Sequence, residues 1–231
     1  MSFDREQAIF GSRYDAGRQL AAKLGKYKNQ SVVVLAVPNG GVPVGLEIAL
    51  ELEIDLDLVI SRKLPLPLKP EAGFGAVADD GTVILNEELV KNLELSPHQV
   101  NYQVNRVRAE IHHRSLLYRK DKPLAILNDK LVIITDDGLA SGFTMMAAVE
   151  SVRRRNPDKI IVAVPATSAT ALARVKKVAD KVVTLAKGTK SKFFIADFYR
   201  YWYDMSDGET VQCLKELQLR RFRSNVMPQQ K

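Results

Sequence analysis

An α/β fold, with a mainly parallel twisted sheet and helices on both faces, is predicted by three features of this chain. Val32–Val37 reads VVVLAV, a continuous β-branched run of the kind buried on both faces of a parallel sheet. Similar runs alternate along the chain with segments whose apolar residues recur at helical spacing. The most unusual glycine-, proline- and acid-containing segments fall where those strands end.

Residues 4–25 carry Ala8, Ile9, Leu20 and Leu24 at helical spacing, with Gly25 placed to stop an opening helix. A strand over Ser31–Val37 follows and breaks at Pro38-Asn39-Gly40-Gly41. Helical spacing through Val44, Leu46, Ala49 and Leu50 leads to a second strand, Leu56–Ile60, and so to a βαβ unit. Ser61–Gly81, with three prolines and three glycines, reads as a long functional loop, in which Gly75–Leu85 can form a hairpin around Asp80-Gly81. Ser96-Pro97-His98-Gln99 combines an N-cap, a proline at the first helical position and a capping-box glutamine. The helix it opens runs towards Lys120 on an apolar stripe of Val100, Val104, Val107 and Ile111. A third strand is expected over Leu131–Thr135, a fourth over Lys159–Val164 and a fifth over Lys181–Leu185, with helices following the third and fourth. An aromatic segment, Phe193–Tyr203, precedes a last helix over Glu209–Leu219, and a poorly ordered tail is expected over 220–231.

The 231 residues, 46% hydrophobic, suit one domain with a core over about 30–190. No apolar run approaches the ~18 residues of a membrane span, and the charged start MSFDREQAIF lacks a signal core, so a cytoplasmic location without membrane contact is expected. The single cysteine, Cys213, is expected to pack, and the three histidines lie on one helix without ligand spacing. A net charge of +7 suits an anionic ligand, although Arg153-Arg154-Arg155 sits where a helix's last turn favours positive charge.

The chemistry concentrates at Asp136–Thr144, where two acids leave a hydrophobic strand and a glycine-bounded turn feeds a helix. Gly138 and Gly142 allow successive N–H groups to form a phosphate nest at the helix's positive end, to which Ser141 and Thr144 can add hydroxyls. The carboxylates cannot bind that phosphate, and suit vicinal sugar hydroxyls or hydrated Mg²⁺. A phosphorylated sugar satisfies both halves. The turn Asp79-Asp80-Gly81 has the same letters without the strand-to-helix context and reads as a plain turn. Neither a dinucleotide fingerprint nor a P-loop is present.

LVIITDDGLASGFTM resembles the motif by which type I phosphoribosyltransferases bind phosphoribosyl pyrophosphate (PRPP). The segments VLAVPNGGVPVG, SRKLPLPLKPEAGFGAVADDG and FYRYWYD, with Asp4-Arg5 and Ala16-Gly17, are similar to a stand-alone group within that family. The resemblance implies that Asp136 and Asp137 hold the ribose hydroxyls, and Mg²⁺ directly or through water. It implies that Gly138, Leu139, Ala140, Ser141, Gly142, Phe143 and Thr144 hold the 5-phosphate. Asn39, Gly40 and Gly41 occupy the place of the pyrophosphate loop, which in this family often carries a non-proline cis peptide. Asn39 stands where the group favours arginine, and Arg62 and Lys63 are candidates to supply the missing charge. Lys69 and Glu71 lie in the expected lid over Leu64–Gly81, and a hood for a small-molecule acceptor, a nitrogenous base in many members, is expected from 1–28 and 190–205. The implied activity is pyrophosphate displacement at the ribose anomeric carbon, in a homodimer acting in nucleotide metabolism. A PRPP-sensing or nucleic-acid-binding regulator is the alternative.

Overall fold

The computed structural model describes residues 8–66, 69–120, 122–188 and 192–226. Asp4 and Arg5, residues 67–68, 189–191 and the tail 227–231 lie outside them.

Five parallel strands form the central sheet: β1 (Val32–Ala36), β2 (Asp55–Leu58), β6 (Leu131–Thr135), β7 (Lys159–Ser168) and β8 (Lys181–Gly188). Their order is β2-β1-β6-β7-β8, so the connections reverse direction between β1 and β6. Ala36 is in register with Thr135, which brings the ends of these two strands level at the reversal. The gap opened there is where an open α/β sheet binds ligands.

The VVVLAV run divides as a strand's alternation demands. Val32, Val34 and Ala36 pack on one face with helices α1 (Arg13–Leu24) and α2 (Gly41–Leu52). Val33, Leu35 and Val37 pack on the other with Met145, Val149 and Val152 of α5 (Phe143–Arg153) and Val175 of α6 (Ala169–Val175). Each fully buried aliphatic side chain contributes about 1.5–3 kcal/mol, so a polar residue at any point of β1 would forfeit packing on one face or the other.

The opening helix starts later than its periodicity suggests. Ser12 caps α1 by accepting the Asp15 N–H at 3.3 Å, and Phe10 is drawn out into a bridge with Tyr199. That bridge ties the chain's beginning to the aromatic segment, with Phe10 and Tyr199 buried against Ala166 and Ala186.

Ser61–Gly81 is not the irregular loop expected. It forms β3 (Ser61–Leu66) and β4 (Lys69–Ala78), which with β5 (Val83–Leu85) make a separate antiparallel sheet. Pro65 is accommodated because the β3–β4 register shifts on either side of it, a bulge where a missing N–H costs little. The expected hairpin at Asp80-Gly81 is present, with Gly75 opposite Leu85 and Gly81 at φ +88°. This sheet packs Ala76 and Ala78 against Phe143 and Ala147 of α5.

A short α3 (Glu87–Asn92), capped by Asn86, has no counterpart in the sequence reading. The capping box at Ser96 opens α4 (Pro97–Arg119) as expected. The last helix, α7, covers Asp207–Val226 rather than ending at Leu219. Arg220 pairs with Glu47 at 2.8 Å and Arg221 with Asp55 at 3.0 Å, which fastens residues expected to be loose onto the core. No helix among the described residues is long and apolar enough to cross a membrane.

Candidate active site

The β1 and β6 turns meet at the reversal point. A Cβ on Gly40 would lie 1.9 Å from Asp137 Oδ2, and one on Gly41 2.8 Å from the Thr135 carbonyl, so only glycines let the two turns close up. The Pro38–Asn39 peptide, just before Gly40, is cis.

Two groups of backbone donors flank the acid pair. The N–H groups of Asn39 and Gly40 make no hydrogen bond to any described residue. Nor do the six consecutive N–H groups of 140–145, since the first bond of α5 is from Met146 to the Gly142 carbonyl at 2.9 Å. Gly142, at φ +86°, turns the chain into that helix. Leu139 is held to β7 through the Ala166 carbonyl at 2.9 Å, and the Ala140 carbonyl accepts from Ser168 Oγ at 2.7 Å. The turn is thus fixed from behind while its donors stay unengaged, and the hydroxyls of Ser141 and Thr144 also have no described partner. Gly138 lies against Ile195, whose Cγ2 a Cβ would approach at 2.8 Å. Phe143 mainly packs.

Asp136 accepts the N–H of Asp137 at 2.8 Å. Asp137, 9% exposed, is paired with Arg13, 6% exposed, at Nε–Oδ2 2.8 Å. Burial and the adjacent Asp137 charge push the Asp136 carboxyl well above the usual carboxylate range. Burial raises Asp137 too, but Arg13 opposes the rise, so Asp136 is the better proton holder. Arg13 is itself held by the Tyr203 carbonyl at 2.9 Å and lies 4.0 Å from the Trp202 ring centroid, while the Tyr199 hydroxyl donates to the Asp137 carbonyl at 2.6 Å.

The two charged residues of β3 part company. Arg62 pairs with Glu110 at 3.5 Å and lies near Arg114, whereas Lys63, one residue along the pleat, is exposed and donates to the Glu71 carbonyl at 2.9 Å. Lys69 and Glu71 are exposed at the start of β4, in a strand rather than a loop.

Several residues around the acids were not singled out by their local sequence, whereas Tyr199 and Trp202 lie in the FYRYWYD segment expected to form the hood. Arg13 and Tyr199 reach Asp137 from opposite ends of the chain, and Trp202 stacks on Arg13. From α4, Arg114 donates to Asn39 Oδ1 at 3.1 Å and the Tyr118 hydroxyl lies 2.9 Å from the same oxygen. Arg174 bonds the Ser141 carbonyl at 2.9 Å and lies 4.8 Å from the Phe143 ring centroid. A helical periodicity marks which residues are polar, and Arg13, Arg114, Tyr118 and Arg174 looked like ordinary solvated or packing positions.

Fold and site together define an α/β protein with a buried acid pair between two turns whose backbone N–H groups are unengaged. Comparison with known proteins gives that class a family. Residues 10–201 match the phosphoribosyl transferase domain family. A Mycobacterium tuberculosis (strain H37Rv) protein provisionally named a phosphoribosyl transferase is 37% identical over 89% of the chain. The chain spans 46% of that relative's length. The crystal structure of TT1426 from Thermus thermophilus superposes with a TM-score of 0.73 at 31% identity, covering 90% of this chain and 98% of that one. The chain belongs to the phosphoribosyl transferase family, and its parallel sheet with flanking helices is the type I fold that the motif implied.

Proposed function

We propose that this protein transfers the phosphoribosyl group of PRPP to an acceptor, releasing pyrophosphate. The observation that carries this reading is the row of unengaged N–H groups at 140–145 that follows the acid pair, together with the unengaged N–H groups of Asn39 and Gly40, where Gly40 lies against Asp137. A ligand with a phosphate at one end, two hydroxyls in the middle and a pyrophosphate on the far side matches all three features.

In this reading the nest formed by 140–145, with Ser141 and Thr144, holds the 5-phosphate at the N-terminus of α5. Asp136 and Asp137 accept hydrogen bonds from the ribose hydroxyls, with Arg13 fixing the orientation of Asp137. The loop 39–41 holds the pyrophosphate. As the bond from the anomeric carbon to the pyrophosphate oxygen breaks, the ring acquires oxocarbenium character and the acceptor, a nitrogen nucleophile in our reading, forms the new bond. Positioning and stabilisation of the departing charge supply the rate. Trp202 and Tyr203, stacked about Arg13, offer a flat wall for a planar acceptor beside the acids.

The donor set fits Mg²⁺, which takes one or two carboxylates together with water and substrate phosphates. Among the described residues no cluster of three His, Cys or acidic side chains forms, so substrate oxygens would complete the coordination begun by Asp136 and Asp137. When bound, Mg²⁺ would offset the charge of the pyrophosphate.

Calorimetric titration of PRPP with Mg²⁺ into the wild type and into Asp136→Asn/Asp137→Asn tests the site. Binding by the wild type alone is expected, followed by pyrophosphate release in an acceptor screen. No binding by the wild type would remove the proposal.

A further inference from the structure

Asp207, the first residue of α7, has more donors than a helix cap requires. Its Oδ1 receives Asn39 Nδ2 at 3.0 Å and the Tyr118 hydroxyl at 2.6 Å, with Arg114 Nη2 at 3.2 Å. The helix start does not need this side chain. Ser206 and Glu209 already form a reciprocal cap, Ser206 N–H to Glu209 Oε2 at 2.8 Å and Glu209 N–H to Ser206 Oγ at 3.2 Å.

Two of these donors come from α4, and the third, Asn39, belongs to the loop after β1. Arg114 also donates to Asn39 Oδ1, and the Tyr118 hydroxyl, whose one proton goes to the nearer Asp207 carboxylate, lies 2.9 Å from the same oxygen, so the guanidinium and the phenol touch the residue whose own N–H is unengaged. Arg62 stands beside them. Burial first, and then the Arg114 charge, lowers its affinity for a proton, as expected where two guanidiniums crowd one point. Its partner Glu110 is 3.5 Å away and 43% exposed, which makes that pair a weak one. Two cations, a phenol and an amide around one carboxylate suit an anion with more charge and more oxygens than Asp207 supplies.

We propose that Arg114 and Tyr118 complete the pyrophosphate site of this protein, and that the Asp207 carboxylate occupies their donors until pyrophosphate takes them. The inference rests on reading loop 39–41 as the pyrophosphate loop. It places the positive charge absent at Asn39 on a neighbouring helix, reaching the loop through the asparagine side chain.

The test is calorimetric titration of inorganic pyrophosphate with Mg²⁺, and separately of ribose 5-phosphate, into the wild type, Arg114→Gln, Tyr118→Phe and Asp207→Asn. Ribose 5-phosphate uses the acids and the α5 nest without the subsite, and so reports on the folding of the rest of the site. Arg114→Gln is expected to weaken pyrophosphate binding at least about tenfold and leave ribose 5-phosphate unchanged. Tyr118→Phe weakens pyrophosphate less, and Asp207→Asn tightens it by removing the internal competitor. Unchanged pyrophosphate affinity in Arg114→Gln, or equal loss of both ligands, overturns the subsite. Unchanged or weaker binding in Asp207→Asn overturns the role of that carboxylate. A wild type that binds ribose 5-phosphate but not pyrophosphate overturns the subsite alone, whereas one that binds neither overturns the parent reading with it.

Discussion

Arg13 and Asp137, 124 residues apart, form a buried ion pair that joins the first helix to the end of the central strand. Both charges are shut away from water, so each depends on the other. Arg13→Gln is expected to cost about 3–5 kcal/mol of stability in urea denaturation, because Asp137 is left buried and uncompensated. Adding Asp137→Asn to that variant recovers part of the loss, since the stranded charge is then gone.

Asp136 makes the opposite prediction. Its carboxyl is raised by burial and by the neighbouring Asp137 charge, so the folded chain holds this proton more tightly than the unfolded chain. Its contribution is therefore fully present below the ordinary carboxylate range and is lost as pH rises from that range through the raised folded value. Thermal denaturation of Asp136→Asn against wild type should show little difference near pH 4 and a growing advantage for the variant towards pH 8. PRPP binding should disappear in the same variant.

Gly40→Ala tests whether the two turns must close. The added Cβ would sit 1.9 Å from Asp137 Oδ2, so the loop or the acid has to move. A displacement of about 1 Å can cost roughly a hundredfold in rate, and pyrophosphate release from PRPP should slow on that order. Circular dichroism should show an intact fold, because the loop lies at the edge of the core.

Cys213 is buried and its thiol is pushed up to about 11 by desolvation, with Tyr14 Oη 3.7 Å from the sulfur. Roughly one part in a thousand would be thiolate at pH 8. A disulfide reagent such as DTNB should therefore react slowly with the native protein and promptly after denaturation, and fast native labelling would contradict this environment.

Local chemistry accounts for what was legible in the sequence. A strand covered on both faces must be apolar at every position, so β1, β6 and β7 could be read directly. Ser96 and Gln99 satisfy each other's backbone groups within a single turn, so their capping box needs no tertiary partner. Two acids followed by a glycine-bounded turn into a helix were enough to locate the candidate phosphate nest and to identify the family resemblance. Ser61–Gly81 defeated the same reasoning, because its prolines and glycines weaken a strand locally and only pairing between β3, β4 and β5 outweighs them.

The sequence by itself determined the parallel sheet, the acid pair and the turn that follows it, since each depends on residues within a few positions of one another. Only the tertiary structure decided which charges surround that site. Arg13 reaches Asp137 across 124 positions, and Arg114 reaches Asn39 across 75. Such pairings follow from how helices cross the sheet, and periodicity along a chain records which face of a helix is polar without recording what that face will meet.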